Sequence, residues 1–261
     1  MKQKKHPAGS VKKIIAFAAG IVIHSIAYGQ CDIDANLIGA RYQITQEPVS
    51  SSLTNTSNKN TRTGTKSMNL WRRGLEVAHE FPDAGVTEIW NRIIDGRIRP
   101  VRYFDLDQRG IEYQPEDINK GKGDRDWNGK FQLISDDQFA AMTLVSTQGM
   151  GCDVEELYRF NNNGLETELT WLPELKLVKS YAEEKPDHRT KWVLLEVIQD
   201  KQKISQSFDS RSGYQLTDYA DIGDSEDDPF MRKLIHLGFV SHEASGFYDE
   251  HGQPLEGGHL H

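Results

Sequence analysis

Cysteine is scarce in this chain, with two among 261 residues, and long apolar runs are nearly absent. The one apolar stretch of note, Ile14 to Ala27, is about 14 residues long and is interrupted by His24, whereas a spanning helix needs roughly 20. No other segment approaches that length, so a multi-span membrane protein is excluded. The two cysteines lack C-x-x-C spacing, which removes the usual redox motif. The patterns G-x-S-x-G, H-E-x-x-H, G-x-G-x-x-G, the P-loop and C-x-x-C-H are all missing, and His79-Glu80 has no second histidine one helical turn on. No local motif therefore fixes an activity. A hydrolase whose residues assemble from distant positions is the enzymatic alternative that survives.

Basic residues are also in deficit, with 31 Lys and Arg against 39 Asp and Glu. Five of those lysines, Lys2, Lys4, Lys5, Lys12 and Lys13, precede the apolar stretch, and no acid stands among them. A basic lead, a short apolar run and the small-x-small sequence Ala27-Tyr28-Gly29 read as a secretory signal, cleaved near Gly29/Gln30 or after Ala27. Gln30 before Cys31 is too bulky for a lipidation site. Removing the leader takes the net charge from -8 to about -13, which disfavours nucleic acid and anionic membrane as main partners. The expected product is exported, periplasmic or secreted, with no transmembrane segment in the mature chain. Its expected partner is a small molecule, a lipid or another exported protein. In an oxidising compartment the isolated pair Cys31 and Cys152 reads as one disulfide.

At 37% hydrophobic and 27% charged, the chain can bury a full core. Its organisation reads as a leader over 1–29, an N-terminal segment with a first strand over 30–49, and a flexible Ser/Thr/Asn-rich loop over 50–67. An antiparallel-sheet domain over 68–240 and a histidine-containing tail over 241–261 follow. Val86 to Ile94, Val101 to Phe104 and Gly110 to Tyr113 are rich in β-branched and aromatic residues and are separated by turn chemistry such as Asp95-Gly96. Val154 to Phe160 and Leu165 to Trp171 form two alternating runs around Asn161-Asn162-Asn163-Gly164, which describes a hairpin. Leu175 to Val178 and Trp192 to Ile198 add two strands, the second apolar on both faces and so central. Residues Asn119 to Gly129 read as a loop. One helix is expected behind Ser135-Asp136-Asp137, with Phe139, Met142, Thr143 and Val145 as its apolar stripe, and another behind Asp228-Pro229. The fold class is α+β: mainly antiparallel sheet of about seven or more strands, curved or half-barrel-like, with one or two short helices. Large curved sheets of this kind occur among exported ligand binders, a comparison of fold class that rests on no shared motif.

Three places hold chemistry. The tail supplies His251, His259 and His261, and the His259-Leu260-His261 pair suits copper or zinc as a bound transition metal. Arg97, Arg99 and Arg102 with Tyr103 concentrate positive charge and an aromatic ring, a combination that binds a carboxylate, phosphate or sugar acid. The concave face of the sheet, with Trp90, Trp171 and Trp192, offers room for an apolar ligand. The leading expectation is a non-enzymatic exported binding protein, with metal handling by the tail as the alternative.

Overall fold

The computed structural model describes residues 31–48, 64–118, 123–162, 164–186, 188–225 and 227–236. Twelve strands of the described residues form one sheet, several of them from runs of β-branched and aromatic residues broken by turn residues. In chain order these are β1 (Leu37–Pro48), β2 (Gly64–Arg73), β3 (Glu76–Phe81), β4 (Val86–Arg92), β5 (Ile98–Phe104) and β6 (Arg109–Glu112). They continue with β7 (Thr143–Gln148), β8 (Glu155–Asn162), β9 (Leu165–Leu172), β10 (Leu177–Glu184), β11 (His188–Ile198) and the short β12 (Gln215–Asp218). The spatial order is β12-β6-β5-β4-β3-β2-β1-β11-β10-β9-β8-β7. Two meanders are thus sewn together by the long first strand, which pairs with β11 from Gly39↔Ile198 to Pro48↔His188. Every pairing is antiparallel except β12 with β6. The sheet is therefore mainly antiparallel, as expected, but mixed through β12, and its twelve strands go well beyond the seven or so expected as a minimum.

Alternation divides the sheet into two faces. The inner face holds the main core, including Ile38, Met68, Leu70, Val77, Trp90, Ile111, Leu169, Leu177 and Trp192. The outer face holds a smaller cluster of Trp71, Ala78, Ile89 and Ile198. Trp71 lies flat across the first strand because position 39 is glycine; a Cβ there would meet the indole at 2.5 Å.

Among the described residues four short helices complete the fold, more than the one or two expected: α1 (Trp127–Gln132), α2 (Asp136–Ala141), α3 (Lys201–Asp209) and α4 (Pro229–His236). The first, α1, begins inside the stretch read as a loop. Its start is set by Asp126, whose side chain accepts from the Gly129 amide. The helix behind Ser135 is real but ends at Ala141, and Thr143 and Val145, expected on its apolar stripe, belong to β7. A β-branched run of Thr143, Val145 and Thr147 prefers the pleat once the capped turn is complete. The α3 helix has only Ile204 and Phe208 as apolar anchors, one turn apart, and they cover the outer cluster. Burying each stabilises by roughly 1.5–3 kcal/mol. The α4 helix starts where expected, with the Asp228 carboxylate accepting from the Phe230 amide at 2.8 Å. Gly64 to Ser67, expected in a loop, are part of β2.

The tryptophans are core rather than ligand contacts. Trp90, Trp171 and Trp192 are 1%, 6% and 5% exposed. His79 packs edge-on against Trp90 with centroids 4.3 Å apart, Phe139 of α2 covers Trp171 at 4.9 Å, and Tyr181 packs on Trp192 at 5.1 Å. The strand carrying Trp192 is central, yet its second face is open: Leu195 is 56% exposed. A register slip explains this, since Arg41 faces Glu196 while Tyr42 faces Leu194, leaving Leu195 as the extra residue.

Two buried polar groups tie α1 and two connecting segments to the sheet. Arg72, fully buried, donates to four backbone carbonyls: Phe131 at 2.7 Å, Ala35 at 3.1 Å, Leu175 at 2.9 Å and Lys176 at 2.5 Å. His79 Nε2 lies 2.8 Å from the carbonyl of Lys130. Cys31 and Cys152 are bonded, pinning the start of the described chain to the region before β8.

Candidate functional site

The inner face opens where β8, β9 and β10 run past the edge of α2. The position of α2 follows from its sequence. Ser135 caps it reciprocally with Gln138, accepting from the Gln138 amide while the Gln138 carboxamide accepts from the Ser135 amide. Phe139 then wedges between Tyr158 and Trp171, with centroids at 5.4 and 4.9 Å. Asn128 of α1 donates to both oxygens of Asp136 at 2.8 and 2.9 Å, tying the two helices together.

Between this helix and the strands lies a groove of about 650 Å3. Its floor is Phe160, Leu165, Thr167, Tyr181 and Glu183; its wall is Gln138, Ala141 and Met142; its rim carries Asp126, Asp136 and Asp137. Among the described residues, no lysine, arginine, histidine or cysteine lines it. Phe160 and Leu165 are half-buried, whereas Thr167, Tyr181 and Glu183 are buried beneath them. At the base the Tyr181 hydroxyl donates to Glu183 Oε1 at 3.3 Å, and Lys185 pairs with Glu183 Oε2 at 2.9 Å from outside the groove. Burial, reinforced by the neighbouring Glu183 charge, holds the Tyr181 phenol far above its ordinary range, so it stays protonated. Tyr158, next to the helix, is also pushed up to about 12, by burial first and then by its bond to Glu156. With a neutral phenol at its base, the groove can hold an apolar body and accept hydrogen bonds at its rim.

The residues singled out by sequence fall elsewhere. Arg97 pairs with Asp95 at 2.5 Å and also with Glu116; Arg99 pairs with Glu112 at 3.4 Å. Arg102 is buried on the inner face against Glu88 at 2.8 Å. Tyr103 is on the outer face, edge-on to Tyr214 at 5.9 Å, with burial raising its phenol pKa. Strand alternation puts the sheet itself between Arg102 and the pair Arg99 and Tyr103, so the four do not converge. His251, His259 and His261 lie outside the described residues. Among the described residues no three His, Cys, Asp or Glu side chains are grouped to hold a metal ion.

Sequence reasoning missed the groove because it is made by a gap between elements. Half its signal was present: Leu165, Glu166, Thr167, Glu168 and Leu169 alternate, as the burial of Thr167 and Leu169 confirms. The other half, the buried Tyr181 and Glu183, lies beyond Val178, where the strand read from the sequence stops while β10 runs on to Glu184.

No family model matches this sequence, and no curated protein does. Among solved structures it is similar to a putative outer membrane lipoprotein-sorting protein domain from Vibrio parahaemolyticus, at 6% identity and a TM-score of 0.31, over 67% of this chain and 92% of that one. It is also similar to PNGF-II in two crystal forms, at 9% and 10% identity and TM-scores of 0.33 and 0.32, over 69% of this chain and 31% of those.

Proposed function

We propose that this is an exported binding protein whose groove beside α2 takes a small molecule or lipid with an apolar body. The observation that supports the reading is the groove itself: apolar surface from Phe160, Leu165, Ala141 and Met142, buried hydrogen-bonding groups at its base, and no cation among the described residues that line it. Export is supported by the basic and apolar leader and by the bonded Cys31 and Cys152, since such bonds persist in oxidising compartments. No helix among the described residues is long and apolar enough to cross a membrane.

The test is titration with a neutral naphthylamine dye, whose fluorescence rises on leaving water. The parent should bind it saturably, and Ala141→Trp, which fills the groove from an exposed helix position, should bind about tenfold more weakly or worse. Equal binding by a folded Ala141→Trp protein would place the ligand elsewhere.

A further inference from the structure

The last strand of the sheet, β7, differs from every other described strand. Its sequence, Thr143-Leu144-Val145-Ser146-Thr147-Gln148, contains no charged side chain, whereas each of the other eleven contains at least one. It stands at one end of the strand order, and all six of its residues are exposed. Leu144 is 49% exposed and Val145 48%, and Met150 just beyond is 67% exposed. Edge strands are ordinarily blunted by lysine, proline, shortness or a covering element. The opposite edge, β12, obeys that rule: it has four residues, is parallel to its neighbour, and ends in Asp218. On β7 the one protective device is a register slip between Leu144 and Ser146.

We infer that β7 is a self-association surface, pairing antiparallel with the same strand of a second copy and continuing the sheet across a two-fold axis. Charge decides the occupant. A molecule of net charge -8, or about -13 without the leader, meets itself at least expense where neither surface is charged. In every antiparallel register of β7 against β7, the facing side chains are Thr, Leu, Val, Ser and Gln, so no like charges are set opposite each other. The nearest strand with acids, β8, is one place further in on each side. The two copies of β8 would then stand three strand spacings apart, about 14 Å, beyond the Debye length of about 8 Å at physiological salt. Of its two acids at that end, Glu155 is paired with Lys179. The slip at Val145 limits the pairing to short arms, so the dimer is weak and reversible, and salt strengthens it by screening the net charge.

Sedimentation equilibrium of the mature chain, over a range of concentrations and at low and physiological salt, tests this together with amide hydrogen exchange. The expected result is a concentration-dependent dimer, tighter in salt, in which the β7 amides that point away from β8 become protected only when it forms. Val145→Lys and Val145→Glu should each weaken it roughly tenfold, and an equimolar mixture of the two should restore it. Val145 is half exposed, so a far-ultraviolet spectrum and melting curve identical to the parent's will show that both variants fold. A chain that stays monomeric at all concentrations would overturn the inference. So would protection, in the monomer, of the β7 amides that point away from β8, which would mean that the outer edge is covered within one chain, or a dimer indifferent to both substitutions.

Discussion

Mild acid should destabilise this protein through a single buried histidine. His79 sits on the inner face with its ring edge-on to Trp90, and burial pushes its pKa down from 6.5 to about 3, with the nearby Lys130 and Arg72 charges acting in the same direction. The neutral ring donates from Nε2 to the Lys130 carbonyl at 2.8 Å. In the unfolded chain the imidazole takes a proton as pH falls through about 6.5, while in the folded chain it does not until about 3. The unfolded state therefore binds more protons across that window, and stability is lost as pH falls through it. Each pH unit below 6.5 costs about 1.4 kcal/mol, so moving from about pH 7 to about pH 5 should cost about 2 kcal/mol. Carboxylates held low by ion pairs, such as Asp95, Glu116, Glu155 and Asp228, do not confuse this window, because their contributions are lost at lower pH still. The comparison is with His79→Gln, whose amide nitrogen can keep the bond to the Lys130 carbonyl without titrating. Urea unfolding of both proteins at the two pH values measures the effect. A parent and variant that lose the same stability between them would refute the reasoning.

Other perturbations have equally direct readouts. Arg72→Met strands four carbonyls on three separate segments; urea midpoints should show a loss of about 3 kcal/mol or more, with Arg72→Lys intermediate because an ammonium has three donors. Cys152→Ser releases a bridge that closes a sequence separation of 121 residues; the chain-entropy account sets the loss at about 5 kcal/mol at most, read as a lowered melting temperature. If the tail handles metal, removing His251, His259 and His261 together should abolish copper or zinc binding in calorimetry while leaving the melting temperature unchanged.

Much of the sheet was legible because its signals are local. The hairpin of β8 and β9 follows from alternation around Asn-Gly chemistry, and Gly164 indeed adopts φ +86° there. The Asp228-Pro229 start of α4 is likewise written in adjacent residues. What stayed hidden depends on distant partners. The α3 helix has two apolar anchors, and their meaning emerges only when Trp71 and Ile198 are seen beneath them. Trp90, Trp171 and Trp192 looked available for a ligand because no sequence rule says that His79, Phe139 and Tyr181 will cover them. The arginines from Arg97 to Arg102 looked like one cluster because proximity along a strand conceals the fact that alternate residues face opposite ways. The groove is the extreme case, since it arises where a helix of six residues is too short to cover the strands it packs on.

The central claim is that the exported chain holds an apolar ligand beside α2. Native mass spectrometry of the mature protein from its own compartment, followed by a denaturing spectrum, tests it most directly. The account predicts a chain lacking the leader and two hydrogens, with an apolar molecule that is retained by the parent and absent from Ala141→Trp. A ligand retained equally by both proteins, or a parent that is empty and takes up no apolar probe, would contradict it.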